Sequence, residues 1–137
     1  MKKRILVVGE NWEAQMLATC ALESAGYDAI TLFDRRNAVR AVQDMRPDLV
    51  LLDMGLPKLR SWQIVRSLRR DRQTQSVPII GIMPEDEQVE SAAFANRGGL
   101  VDVFHRPLDS RLLIRKVRRA LRDDRHHTDQ YQQRAAV

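Results

Sequence analysis

The chain has 137 residues, 44% of them hydrophobic and 30% charged, with 23 Lys and Arg against 18 Asp and Glu for a net charge of +5. That length suits one domain and excludes an enzyme with separate cofactor and substrate lobes, and the composition is that of a globule with a real core. A single cysteine excludes an internal disulfide framework, and no stretch approaches the ~20 apolar residues that a membrane helix needs.

Strand and helix patterns alternate along the chain. Ile5-Leu6-Val7-Val8 is wholly apolar and stops at Gly9, as a strand covered on both faces would. Residues 12–25 carry Ala14, Leu17, Ala18, Ala21, Leu22 and Ala25 at helical spacing before Gly26. Within this helix, Cys20 reads as a small buried residue and not as a nucleophile. A second strand is predicted over 28–32. A helix follows over 35–46, with Ala38, Val39, Ala41, Val42 and Met45 inward, and it stops before Pro47. Leu49-Val50-Leu51-Leu52 forms a third buried strand that ends at Asp53, and Gly55 and Pro57 mark a loop. Residues 61–70 are helical, with Trp62 covering apolar surface. A fourth strand spans 77–83, a helix 87–97 ends at Gly98-Gly99, and a fifth strand spans 101–104. The last helix, 110–121, turns Leu112, Leu113, Val117, Ala120 and Leu121 inward. Residues 123–137 lack apolar periodicity and read as a frayed helix end and tail, leaving 1–122 as the folded domain.

Strands separated by helices of this length imply parallel pairing with right-handed crossovers, hence a doubly wound, three-layer α/β domain. Ligands in such folds sit beyond the carboxyl ends of the strands. The residues at those ends are Gly9, Glu10, Asp53, Met83, Pro84 and Arg106.

The segment Pro47-Asp48-Leu49-Val50-Leu51-Leu52-Asp53-Met54-Gly55-Leu56-Pro57 resembles the phosphoacceptor segment of response-regulator receiver domains. Supporting features are the apolar run 5–8 before an acidic residue, Gly26-Tyr27, Pro78-Ile79-Ile80, residues 99–102 and Arg106-Pro107. The resemblance covers residues 3–122. It implies a flavodoxin-like (βα)5 sandwich with five parallel strands in the order 2-1-3-4-5. In that family an acidic pair after the first strand, the acceptor aspartate and a backbone carbonyl two residues later hold Mg²⁺. A hydroxyl after the fourth strand and a lysine after the fifth meet the phosphoryl oxygens. The ion offsets the repulsion between carboxylate and phosphoryl group.

Carried over residue by residue, the resemblance makes Asp53 the acceptor, with Glu10, Asp53 and the Gly55 carbonyl as a weak Mg²⁺ site. Several positions depart from the pattern. Gly9 has no ligand atom, and Met83 stands where the hydroxyl belongs. Pro84 removes a backbone N–H, and Val103 replaces the aromatic of the fifth strand. Ser61 replaces a glycine, and Arg106 replaces the lysine, contacting a phosphoryl group or pairing with Asp53 and Glu10. In the family that hydroxyl and aromatic shift on phosphorylation, and here Met83 is expected to fill the space in which they would move. The chain therefore resembles an atypical, stand-alone receiver. Either it accepts phosphate on Asp53, or it works as a phosphorylation-independent interaction module.

The resemblance implies a histidine kinase or phosphotransfer protein and a downstream protein as partners, cytoplasmic placement, and no catalysis beyond slow self-dephosphorylation. A homodimer through the fourth helix, fifth strand and fifth helix is a further expectation, since Glu85, Asp86, Glu87 and Glu90 face a basic last helix in sign. That helix sets Arg111, Arg115, Arg118 and Arg122 along one side. It reads as a solvated face, since no aromatic stacking residues or nucleic-acid motif accompany it. A flavin-binding relative of the fold is disfavoured, because Gly9-Glu10-Asn11-Trp12 is not a phosphate loop.

Overall fold

The strands form because their apolar runs need cover on both sides, and the helices between them supply it. The computed structural model describes residues 2–55, 57–85 and 98–122. Five strands, β1 (Arg4–Val8), β2 (Asp28–Leu32), β3 (Leu49–Asp53), β4 (Ile79–Met83) and β5 (Asp102–His105), make one sheet in the order β2-β1-β3-β4-β5. All four pairings are parallel. The helices are α1 (Trp12–Ser24), α2 (Ala38–Met45), α3 (Lys58–Arg70) and α4 (Ser110–Arg122), and a 3-10 turn (Arg35–Asn37) precedes α2. The helix predicted over 87–97, most of the acidic patch at 85–90 and the predicted tail lie outside the described residues.

Alternate strand residues feed two cores. Leu6, Val8, Val50, Leu52 and Ile79 meet Ala38 and Val42 of α2 and Ile64, Val65 and Leu68 of α3 on one face. Ile5, Val7, Leu49, Leu51, Ile80, Ile82 and Phe104 meet Ala18 and Leu22 of α1 and Leu113, Val117 and Ala120 of α4 on the other. Trp62 is half-buried against the first core, as the sequence suggested.

Local signals explain the joints. The Asn11 side chain accepts from the Ala14 N–H at 2.9 Å and starts α1. Gly26, at φ +93°, turns the chain out of the helix in a conformation that a side chain would strain. Arg46 adopts φ +48° directly before Pro47, whose ring disfavours a right-handed helical residue there. The predicted helix over 35–46 therefore divides into the turn and the shorter α2. Opposite the site, Arg69 donates to the carbonyls of Gly99, Gln75 and Val77 at 2.6–2.9 Å and binds two loops to α3.

Three expectations about inward faces are corrected. Leu17 is 55% exposed and Cys20 is exposed, whereas Gln15 is buried. The buried stripe of α1 runs through 15, 18 and 22, and position 20 falls on the opposite side. In α4, Leu112 lies at the border of exposure, while Lys116 leans inward to Asp102 Oδ1 (3.1 Å) and the Val103 carbonyl (2.7 Å). Phe104 is the aromatic anchor of the α1–α4 core at 1% exposure. Phe104→Ala is expected to lower unfolding free energy by about 3–5 kcal/mol, read as a shifted urea midpoint with an unchanged slope.

Candidate functional site

Strand register builds the site. Val8 pairs with Leu52, Asp53 with Ile82, and Met83 with His105, so the carboxyl ends of β1, β3, β4 and β5 finish side by side. This brings Glu10, Asp53, Gly55, Met83 and Arg106 to one mouth of the sheet.

Asp53 is the last residue of β3, and its side chain is 14% exposed. One carboxylate oxygen, Oδ1, accepts from the Gly55 N–H at 2.8 Å. The other, Oδ2, accepts from Arg106 Nη2 at 2.7 Å. The guanidinium reaches Asp53 from just beyond β5, where the Arg106 N–H bonds the Met83 carbonyl at 3.0 Å. Met83 itself is 1% exposed and belongs to the α2–α3 core. The position where the resemblance asks for a hydroxyl therefore holds a packed thioether.

The acidic side of the pocket has a partner that the sequence reading did not single out. Arg35, from the 3-10 turn after β2, is 2% exposed. Its Nη1 donates to the Gly55 carbonyl at 2.9 Å and to Ser61 Oγ at 2.8 Å, and its Nη2 lies 3.4 Å from Glu10 Oε2. Ser61 is fully buried and donates in turn to the Asp53 carbonyl at 2.7 Å. The expected pairing of Arg106 with both carboxylates is thus corrected. Arg106 takes Asp53, and Glu10 falls to Arg35, because Arg35 enters from the β2 side where Glu10 stands. The signal available in sequence was a basic pair, Arg35-Arg36, after the second strand.

The turn that carries Arg35 is shaped by Asp34. Its side chain accepts from the Arg36 N–H at 2.9 Å and from the Arg36 guanidinium at 3.0–3.3 Å. These bonds hold the Asp34 carboxyl below the usual carboxylate value. At the end of β1, Gly9 faces Gln15. A β-carbon on Gly9 would stand 2.8 Å from Gln15 Oε1 and 3.1 Å from Asp53 Cβ. Gln15 is held there by bonds from its Nε2 to the carbonyls of Val7 (2.9 Å) and Leu32 (3.2 Å).

The residues do not fit the Mg²⁺ site that the resemblance implies. Mg²⁺ demands near-octahedral oxygen ligands. Here the Gly55 carbonyl already accepts from a guanidinium, Glu10 is turned toward the same group, and the space for an acid at position 9 is taken by Gln15. The Arg35 guanidinium would also repel a divalent ion seated beside it. Among the described residues there is no cluster of three or more His, Cys, Asp or Glu placed to hold a metal.

An aspartate ending the central strand of a parallel 2-1-3-4-5 sheet, with a second acid after the first strand and a cation after the fifth, is the arrangement of a receiver-type signalling domain. Residues 5–118 match the family described as the response regulator receiver domain, and the chain belongs to that family. The DNA-binding response regulator MtrA of Mycobacterium tuberculosis is 33% identical over 122 residues, which is 89% of this chain and 52% of MtrA. The chain therefore spans about half the length of MtrA. Protein PilH of Pseudomonas aeruginosa is 26% identical over 118 residues, 86% of this chain and 97% of PilH. Among solved structures, NtrX from Brucella abortus superposes with a TM-score of 0.79 at 27% identity, covering 98% of this chain and 29% of NtrX. The Vibrio cholerae chemotaxis protein CheY4 gives 0.76 at 21% identity, covering 87% and 98%, and supports the fold alone. The domain is a signalling module of two-component response regulators. No helix among the described residues is long and apolar enough to cross a membrane.

Ser61 joins Arg35 to the backbone of the acceptor position, so its loss leaves a buried guanidinium donor short of an acceptor. Ser61→Ala is expected to cost about 1–3 kcal/mol of stability, measurable by urea unfolding.

Proposed function

We propose that this receiver signals by protein–protein contact, with Asp53 held in a fixed ion pair and not cycled through an acyl phosphate. The observation that carries this reading is the double engagement of the Asp53 carboxylate, by the Gly55 N–H on one oxygen and by Arg106 on the other. A carboxylate attacks phosphorus with an oxygen lone pair. Charge-assisted hydrogen bonding lowers the electron density available for that attack. Arg106 is also the cation that the resemblance sends to the phosphoryl oxygens, and here it is spent on the nucleophile.

Two further features support the reading. Met83 offers no hydroxyl to sense a phosphoryl group, and Val103 offers no aromatic to move in response. The output face then has one conformation to present to its protein target. The kinase or phosphotransfer partner implied by the family is, on this reading, bound without transfer. Exposure of the full chain to acetyl phosphate and Mg²⁺, followed by intact mass, is expected to give no phosphoryl adduct. An adduct on the wild type that disappears in Asp53→Ala would make Asp53 a working phosphoacceptor and overturn the proposal.

A further inference from the structure

We infer that Arg35 is the resident cation of this pocket, supplying from within the chain the positive charge that a receiver of the usual pattern takes from Mg²⁺, so that the domain is insensitive to divalent metal. This inference is independent of whether Asp53 ever carries a phosphoryl group, since it concerns the resting pocket.

The family pattern sets three carboxylates against one lysine, a deficit of two positive charges that one divalent ion restores. In this chain position 9 carries no acid, and Arg35 lies in the pocket. Glu10 and Asp53 now stand against Arg35 and Arg106, and the pocket is neutral without an ion. A divalent ion entering a balanced pocket is uncompensated, and the site loses the electrostatic reason to bind it.

Arg35 reaches the atoms that the pattern assigns to the metal: the Gly55 carbonyl at 2.9 Å and Glu10 Oε2 at 3.4 Å. A guanidinium with 2% exposure is committed to that place, because withdrawing it from its acceptors would leave a buried charge.

Ser61 stands where the pattern has glycine, and its hydroxyl accepts from Arg35 at 2.8 Å while donating to the Asp53 carbonyl at 2.7 Å. Gln15 closes the space above Gly9. Two departures that look unrelated along the chain, Gly9 and Ser61, thus stand with Arg35 in one arrangement, in which a planar fork of donors replaces a sphere of oxygen ligands.

The test is titration of the full chain with MgCl2, followed by thermal unfolding and calorimetry with no phosphodonor present. The wild type is expected to show no saturable heat and no shift in midpoint. Arg35→Gln frees the Gly55 carbonyl and Glu10, and is expected to gain a Mg²⁺-dependent rise of about 5 °C at saturation. Arg35→Lys retains a cation and is expected to stay insensitive. Should Arg35→Gln be unfolded without metal, Mg²⁺-dependent recovery of its folded signal is the equivalent supporting result. Saturable Mg²⁺ binding by the wild type that Glu10→Gln abolishes would overturn the inference. An Arg35→Gln chain that ignores Mg²⁺ would overturn the role given to Arg35. Neither result depends on the acetyl phosphate experiment, so failure here and failure of the ion-pair reading of Asp53 are told apart.

Discussion

A buried guanidinium is among the most demanding groups a protein can fold around. It keeps its charge at any ordinary pH, and removing it from water is tolerable only if acceptors are waiting for its donors. Arg35 sets its Nη1 on a backbone carbonyl and a hydroxyl and its Nη2 near a carboxylate, drawn from three different segments: Gly55 after β3, Ser61 in α3 and Glu10 after β1. The turn after β2, the loop after β3 and the first turns of α3 are thereby held to one another. The geometry of Asp53 follows from this bracing, since Ser61 holds its carbonyl and Gly55 holds its Oδ1.

From that constraint the unusual features of the pocket become a connected set. A cation built into the chain needs a negative partner, and Glu10 supplies it. It needs a neutral acceptor in the interior, and Ser61 supplies that. Arg106 is then free of Glu10 and closes on Asp53 at 2.7 Å. Met83, at the end of β4, is packed into the α2–α3 core and offers the site no hydroxyl. A site that in the family pattern is open to an ion and a phosphoryl group is here completed by side chains. On the proposed reading its conformation is set by folding and not by ligation, and constitutive contact with another protein suits such a site better than switching.

Much of this was legible in the sequence, for physical reasons that can be named. Of the five strands, three stood out because a strand covered on both faces must be continuously apolar, and 5–8, 49–52 and 79–82 are. Their ends pointed to Glu10, Asp53, Met83 and Arg106 because parallel register aligns carboxyl ends. The inward face of α1 was misread because its alanines give it little amphipathic contrast. Gln15, a polar residue that owes its burial to two carbonyl acceptors, took a place that Leu17 seemed to own. Arg35 was passed over for a different reason. A charged residue after an edge strand reads as solvent-exposed, and nothing local shows that a loop 20 residues further on will offer it a carbonyl. Long-range satisfaction of a buried charge is a property of the assembled pocket.

The most direct test of this account is a crystal structure of the full chain grown with Mg²⁺ and beryllofluoride. The account predicts the Arg35 guanidinium still seated on the Gly55 carbonyl and Ser61 Oγ, Arg106 still on Asp53, and no octahedral ion between Glu10 and Asp53. An Arg35 side chain displaced from the pocket, with Mg²⁺ bound by Glu10, Asp53 and the Gly55 carbonyl and beryllofluoride on Asp53, would contradict it.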